Sequence, residues 1–116
     1  MAKIAILGSG GFGVSLAVMC HRYGHEVTLW GKFPEEIAQI RRDGENKRLL
    51  PGVPVDPGIR LTSALEEISG AELVIFAVPS FAVRETARAA APFLSPGVVA
   101  ANVGKGLEKG DRKSVV

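Results

Sequence analysis

Apolar positions along this chain alternate between two patterns. Short unbroken runs, KIAILG (3–8), EVTLW (26–30), ELVIFAV (72–78) and VVAANV (98–103), are rich in Ile, Val and Leu and read as buried strands. Between them lie longer amphipathic stretches that read as helices. FGVSLAVMCHRY (12–23) stops at Gly24. A second helix opens at Pro34-Glu35-Glu36, where proline is tolerated and acids favour the dipole, and continues through IAQIRRD to Gly44. An alanine-rich helix follows Pro79-Ser80 and ends near Pro92. A weaker strand, IRLT (59–62), precedes a helix predicted to open at Ser63, with Glu66 at capping-box spacing.

The order is β-α-β-α-loop-β-α-β. Such alternation predicts parallel strands joined by right-handed helical crossovers, an α/β fold with a doubly wound sheet. The continuous run at 72–78 is what a strand covered on both faces requires. Residues 46–58, NKRLLPGVPVDPG, hold Pro51, Pro54 and Pro57 and show no period, so they form a long loop of the kind that carries function.

With 116 residues the chain is one domain, 1–116. A net charge of +2, with basic residues scattered among acids, gives no basic stripe and argues against a nucleic-acid partner. Cys20 is the lone cysteine, so no intrachain disulfide forms and a reducing cytoplasm fits. Met1-Ala2-Lys3-Ile4 runs straight into a strand with no leader, and no apolar run reaches the roughly 20 residues of a membrane span. No metal-ligand cluster and no nucleophile–base pair stands out, as expected where a cofactor carries the hard chemistry.

The candidate chemistry begins in GSGGFG (8–13), which fits G-x-G-x-x-G through Gly8, Gly10 and Gly13. Alone the pattern is weak, since glycine turns are common. Here a strand leads directly in and a helix leads directly out, the context that a dinucleotide site requires. Gly8 then permits the tight turn, Gly10 lets the backbone approach a pyrophosphate, and Gly13 lets helix and strand pack closely. Such sites commonly place an acid at the end of the second strand, for the adenosine ribose hydroxyls. This strand instead ends Trp30-Gly31-Lys32-Phe33, with no acid before Glu35. Lys32 sits where a 2′-phosphate would lie, which suits NADP and leaves NAD open; its alternative is a solvated lysine. FAD proteins share the fingerprint but usually keep the acid.

Five separate stretches, GSGGFG (8–13), GHEVTLWGK (24–32), NKRLLPGVPV (46–55), FAVPS (76–80) and NVGKGLE (102–108), together resemble the bacterial-type NAD(P)-dependent glycerol-3-phosphate dehydrogenases. The resemblance implies a Rossmann-type N-terminal domain followed by a helical substrate domain. It also implies reversible reduction of dihydroxyacetone phosphate to sn-glycerol 3-phosphate by NAD(P)H, which feeds phospholipid synthesis. By the same resemblance Gly11 and Phe12 match the cofactor-contacting pair, although the first of these is often Ser or Asn in the family. Lys32 matches a position near the adenosine that is often cationic, and Lys105 a lysine touching both cofactor and substrate. The family's acid/base lysine and phosphate-binding residues belong to the C-terminal domain, beyond Val116. The full dinucleotide fold has about six strands, so this chain reads as the N-terminal piece of a longer protein, inactive alone and in full length open to forming a homodimer.

Lys105 has its own local warrant: it follows a strand's carboxyl end, where ligands of open α/β sheets bind, and a cation there stabilises a developing alkoxide. Pro79 and Ser80 also follow a strand end and are expected to line the nicotinamide side, with Phe81 as a wall, unless Pro79 merely ends the strand and Ser80 caps the helix. His21 and His25 are expected to face solvent, and Cys20 to sit in the core. Two other functions stay open, a related reductase of another small keto or hydroxy acid and a dinucleotide-binding module without catalysis. The NKRLLPG loop and GKGLE weigh against the first.

Overall fold

In the computed structural model, residues 1–103 are described; Lys105 and the rest of 104–116 lie outside the described residues. Five strands, β1 (Lys3–Leu7), β2 (Glu26–Trp30), β3 (Arg60–Thr62), β4 (Leu73–Phe76) and β5 (Val99–Asn102), form one parallel sheet in the order β3-β2-β1-β4-β5. The helices are α1 (Gly11–Arg22), α2 (Pro34–Asp43) and α3 (Ser80–Ala90). The chain winds outward from β1 to β3, then crosses back to β4 on the other side of β1. That reversal between β1 and β4 is the switch point at which doubly wound sheets bind ligands.

Strand alternation sorts the core into two layers. Ile4 and Ile6 of β1 pack with Val27, Leu29, Val14, Ala17 and Ile40 beneath α1 and α2. Ala5 and Leu7 point the other way, toward Trp30, Val74, Phe76 and Ala90 on the α3 side. Ile6, Leu7, Leu29 and Val74 are fully buried, each contributing about 1.5–3 kcal/mol by leaving water. The Trp30 indole N–H is buried in this second layer with no hydrogen-bond partner among the described residues.

Several local expectations are corrected. Ser63 opens no helix: the segment forms only a 3₁₀ turn, Leu65–Ile68, whose N-cap is Ala64 and which has no side-chain cap. Thr62 Oγ accepts the Ala64 N–H at 2.9 Å instead, because this short segment has to carry the chain from β3 over β2 and β1 to β4, and a full helix would leave too few residues for the crossing. Ser80 is the first helical residue and caps nothing, since Pro79 holds the N-cap position of α3. The histidines do not simply face solvent: His25 Nδ1 accepts the Ala2 N–H at 3.0 Å, and His21 lies 3.3 Å from Asp56. Leu73 and Ile75 are only half-buried, so cover over β4 is uneven. Cys20, expected in the core, lies half-buried at the margin of the first layer, where burial raises its thiol pKa. No helix among the described residues is long and apolar enough to cross a membrane.

Candidate functional site

The carboxyl edge of the sheet is held open by backbone. Hydrogen bonds continue past the strand ends, with Gly8 N–H donating to the Trp30 carbonyl at 2.7 Å, Gly31 N–H to Thr62 at 3.0 Å and Ala77 N–H to Leu7 at 2.8 Å. Gly8 has φ +132°, and a Cβ there would lie 2.6 Å from the Ala77 carbonyl oxygen. A Cβ on Gly13 would overlap the Gly8 carbonyl oxygen outright. Both glycines are therefore demanded by the fold: β1, β4 and α1 meet too closely for a side chain. Gly10 differs, because its Cβ would find only Leu49 Cδ1, at an ordinary 3.6 Å. The protein leaves room at that position.

α1 begins immediately after this turn. Its first backward hydrogen bond runs from Val14 N–H to the Gly10 carbonyl at 2.9 Å, and no acid or side-chain cap occupies the first turn. The N–H groups of Gly11, Phe12 and Gly13 thus have no intrahelical acceptor, and together with the helix dipole they make an anion-binding end. The cradle fits a dinucleotide pyrophosphate.

A second layer of contacts, which motif reading misses, fixes the turn in place. Asn46 is fully buried: its Nδ2 donates to the Ser9 carbonyl at 2.7 Å, and its Oδ1 accepts from the N–H groups of Arg48 and Leu49 at 3.2 and 3.0 Å. The 46–50 loop is thereby clamped over the glycine turn, with the Leu49 carbonyl 3.0 Å from where a Gly11 Cβ would stand. Ser9 Oγ donates to Glu36 Oε1 at 2.5 Å, and Gly31 lacks a side chain because a Cβ would collide with that hydroxyl. Gln39 donates to the Glu45 carbonyl at 2.7 Å and to Asp43, whose carboxyl pKa is held below its usual range chiefly by the Arg42 side chain and next by Gln39. Alanine at Asn46 should lower stability by about 2 kcal/mol, on the order of 10 °C in Tm for a domain this size, because it strands these buried groups. Thermal unfolding followed by circular dichroism checks this; an unchanged Tm would show the clamp to be incidental.

Around the same edge stand four exposed large apolar side chains, Phe12, Phe33, Leu49 and Phe81, the last 87% exposed on the first turn of α3. Lys32 is exposed just past β2, and Pro79 is exposed just past β4. The structure thus brings Gly8, Gly10, Gly11, Phe12, Gly13, Lys32, Pro79 and Phe81 to one edge of the sheet. Among the described residues no three His, Cys, Asp or Glu side chains group as metal ligands.

The family model for the N-terminus of NAD-dependent glycerol-3-phosphate dehydrogenase matches residues 3–116. The chain belongs to this family. It is 46% identical over 112 residues to a glycerol-3-phosphate dehydrogenase [NAD(P)+] of Moorella thermoacetica, covering 96% of this chain and 33% of that protein. A counterpart from Desulfitobacterium hafniense is 42% identical over 113 residues, covering 97% and 32%. The crystal structure of glycerol-3-phosphate dehydrogenase from Coxiella burnetii superposes with a TM-score of 0.84 at 32% identity, over 94% of this chain and 34% of that one. The chain therefore spans about a third of the length of the curated relatives it matches. As a member of this family it has the expected Rossmann-like sheet, built here from five strands.

Proposed function

We propose that this chain binds NADP or NAD and forms the cofactor domain of an enzyme that interconverts dihydroxyacetone phosphate and sn-glycerol 3-phosphate, a step that supplies phospholipid synthesis. The observation that carries this reading is the contrast within the glycine turn: backbone fills the space at Gly8 and Gly13, while room is left at Gly10 before an uncapped helix end. Family membership over residues 3–116 supports the choice of reaction.

When bound, the nicotinamide supplies the hydride for the substrate ketone. The residues of this chain hold and orient. N–H groups at the start of α1 donate to pyrophosphate oxygens, Gly10 gives them close approach, and Phe12 and Gly11 border the same turn. Pro79 and Phe81, both exposed at this edge, are assigned to the nicotinamide side. Lys105, in NVGKGLE, is assigned to the substrate oxygen that gains negative charge, with a lysine outside this chain as the proton donor.

The direct test is the full-length protein with dihydroxyacetone phosphate and NADPH or NADH, followed by loss of nicotinamide absorbance. No turnover with either cofactor would defeat the reading. Lys32 adds a finer expectation: Lys32→Ala should weaken NADPH more than NADH by about 1 kcal/mol, the worth of one exposed charge contact. Equal losses in a binding titration would return Lys32 to the role of a solvated surface lysine.

A further inference from the structure

We infer that Arg48, with Lys47 beside it, reads the adenosine 2′-phosphate, and that Glu36, one of the two acids lining this groove, is turned inward and does not serve the ribose hydroxyls. This rests on the dinucleotide reading above. Dinucleotide sites commonly use an acid about 20 residues beyond the fingerprint to accept hydrogen bonds from the ribose. Glu36 stands in that interval, on the first turn of α2, and lines an open groove with Phe33, Glu35, Gln39, Lys47 and Arg48. Its carboxylate is committed elsewhere. One oxygen accepts the Ser9 hydroxyl at 2.5 Å, the other accepts Arg48 Nη2 at 3.4 Å, and its side chain is only 13% exposed.

With Glu36 engaged, what the groove offers to an anion is the Arg48 guanidinium with Lys47 beside it, and the exposed Glu35 is its remaining acid. The Arg48 side chain is 73% exposed and meets Glu36 through a single long contact, which leaves most of its guanidinium donors open. An exposed pair of that geometry is weak, whereas a phosphate dianion can engage two guanidinium N–H groups at once. The backbone beneath is fixed: Asn46 Oδ1 holds the Arg48 N–H and Gln39 Oε1 holds the Lys47 N–H at 3.3 Å. Both cations thus stand on an anchored loop with exposed heads. Glu36 is matched by Arg48, and the exposed Glu35 by the exposed Lys47 on the same groove.

The experiment measures NADPH and NADH affinities of the full-length protein by calorimetry, with 2′,5′-ADP and 5′-AMP as fragments lacking nicotinamide. Arg48→Gln should weaken NADPH and 2′,5′-ADP about tenfold and leave NADH and 5′-AMP within about twofold. Its unfolding temperature should be unchanged, because the side chain is exposed. Glu36→Gln, which still accepts the Ser9 hydroxyl, should leave NADH within about twofold. Equal losses for both cofactors in Arg48→Gln, or no loss for NADPH, would make Arg48 a surface ion pair only. A tenfold loss of NADH in Glu36→Gln would make that residue the ribose acceptor and overturn the inference. If the unsubstituted protein bound neither cofactor, the dinucleotide reading itself would fall; binding of both with the wrong pattern defeats the Arg48 assignment alone.

Discussion

Valine at position 10 is expected to abolish dinucleotide binding while the fold and its melting temperature stay close to those of the parent. Gly10 has an ordinary φ of −71° at the N-cap of α1, which any residue adopts, and its Cβ would meet nothing closer than Leu49 Cδ1 at 3.6 Å. A branched side chain there costs the protein little but stands where the pyrophosphate has to come. Gly13→Ala should behave in the opposite way. Its added methyl collides with the Gly8 carbonyl, so the helix has to move off the strand, a cost of at least about 1–3 kcal/mol for an overpacked site. Cofactor titration and thermal unfolding of the two variants separate a glycine kept for the ligand from one kept for the fold. A Gly10→Val protein that still binds NADPH with parental affinity would show that the pyrophosphate lies elsewhere.

Lys105→Ala in the full-length enzyme should reduce kcat/KM for dihydroxyacetone phosphate by ~10²–10³, the usual penalty for losing one group that stabilises developing charge. The lysine follows β5, which ends at Asn102 on the same sheet edge as the glycine turn, with Val103 N–H bonded to the Phe76 carbonyl at 3.0 Å. NADPH binding should fall less, because the contacts assigned to the pyrophosphate lie at Gly10–Gly13. An alkylamine added to the assay should restore part of the activity, since it returns a primary ammonium to the vacated position. Near-full activity in Lys105→Ala would remove the residue from the active site.

Strand runs and glycine punctuation make the sheet legible in the sequence itself. KIAILG and ELVIFAV read as strands, which they are, although β4 is less evenly covered than its unbroken apolar run suggests, and the alternation with helices implies the parallel order. The Ser63 segment misled because Ser-x-x-Glu spacing is a local signal, whereas the shortness of the connection from β3 to β4 is a property of the whole sheet. The site divided in the same way. Gly8, Gly10 and Gly13 announce themselves by spacing, but Ser9 and Gly31 occupy unremarked positions and acquire meaning only from the approach of two loops. Glu36 was visible as a helix-opening acid; that its carboxylate points back into the glycine turn depends on the packing of α2, which spacing does not encode. NKRLLPG is legible as a loop, yet the role of Asn46 as a clamp follows from complete burial with three partners.

That clamp bears on when the cost of ordering is met. Fixing a residue's backbone costs about 1–2 kcal/mol in conformational entropy. Through the Ser9 carbonyl and the Arg48 and Leu49 N–H groups, Asn46 couples two surface segments to the folding of the core. Their ordering is thus charged to folding, when the hydrophobic layers close, and not to association. A ligand arriving at the glycine turn meets donors already aligned, so more of its interaction free energy is expressed as affinity.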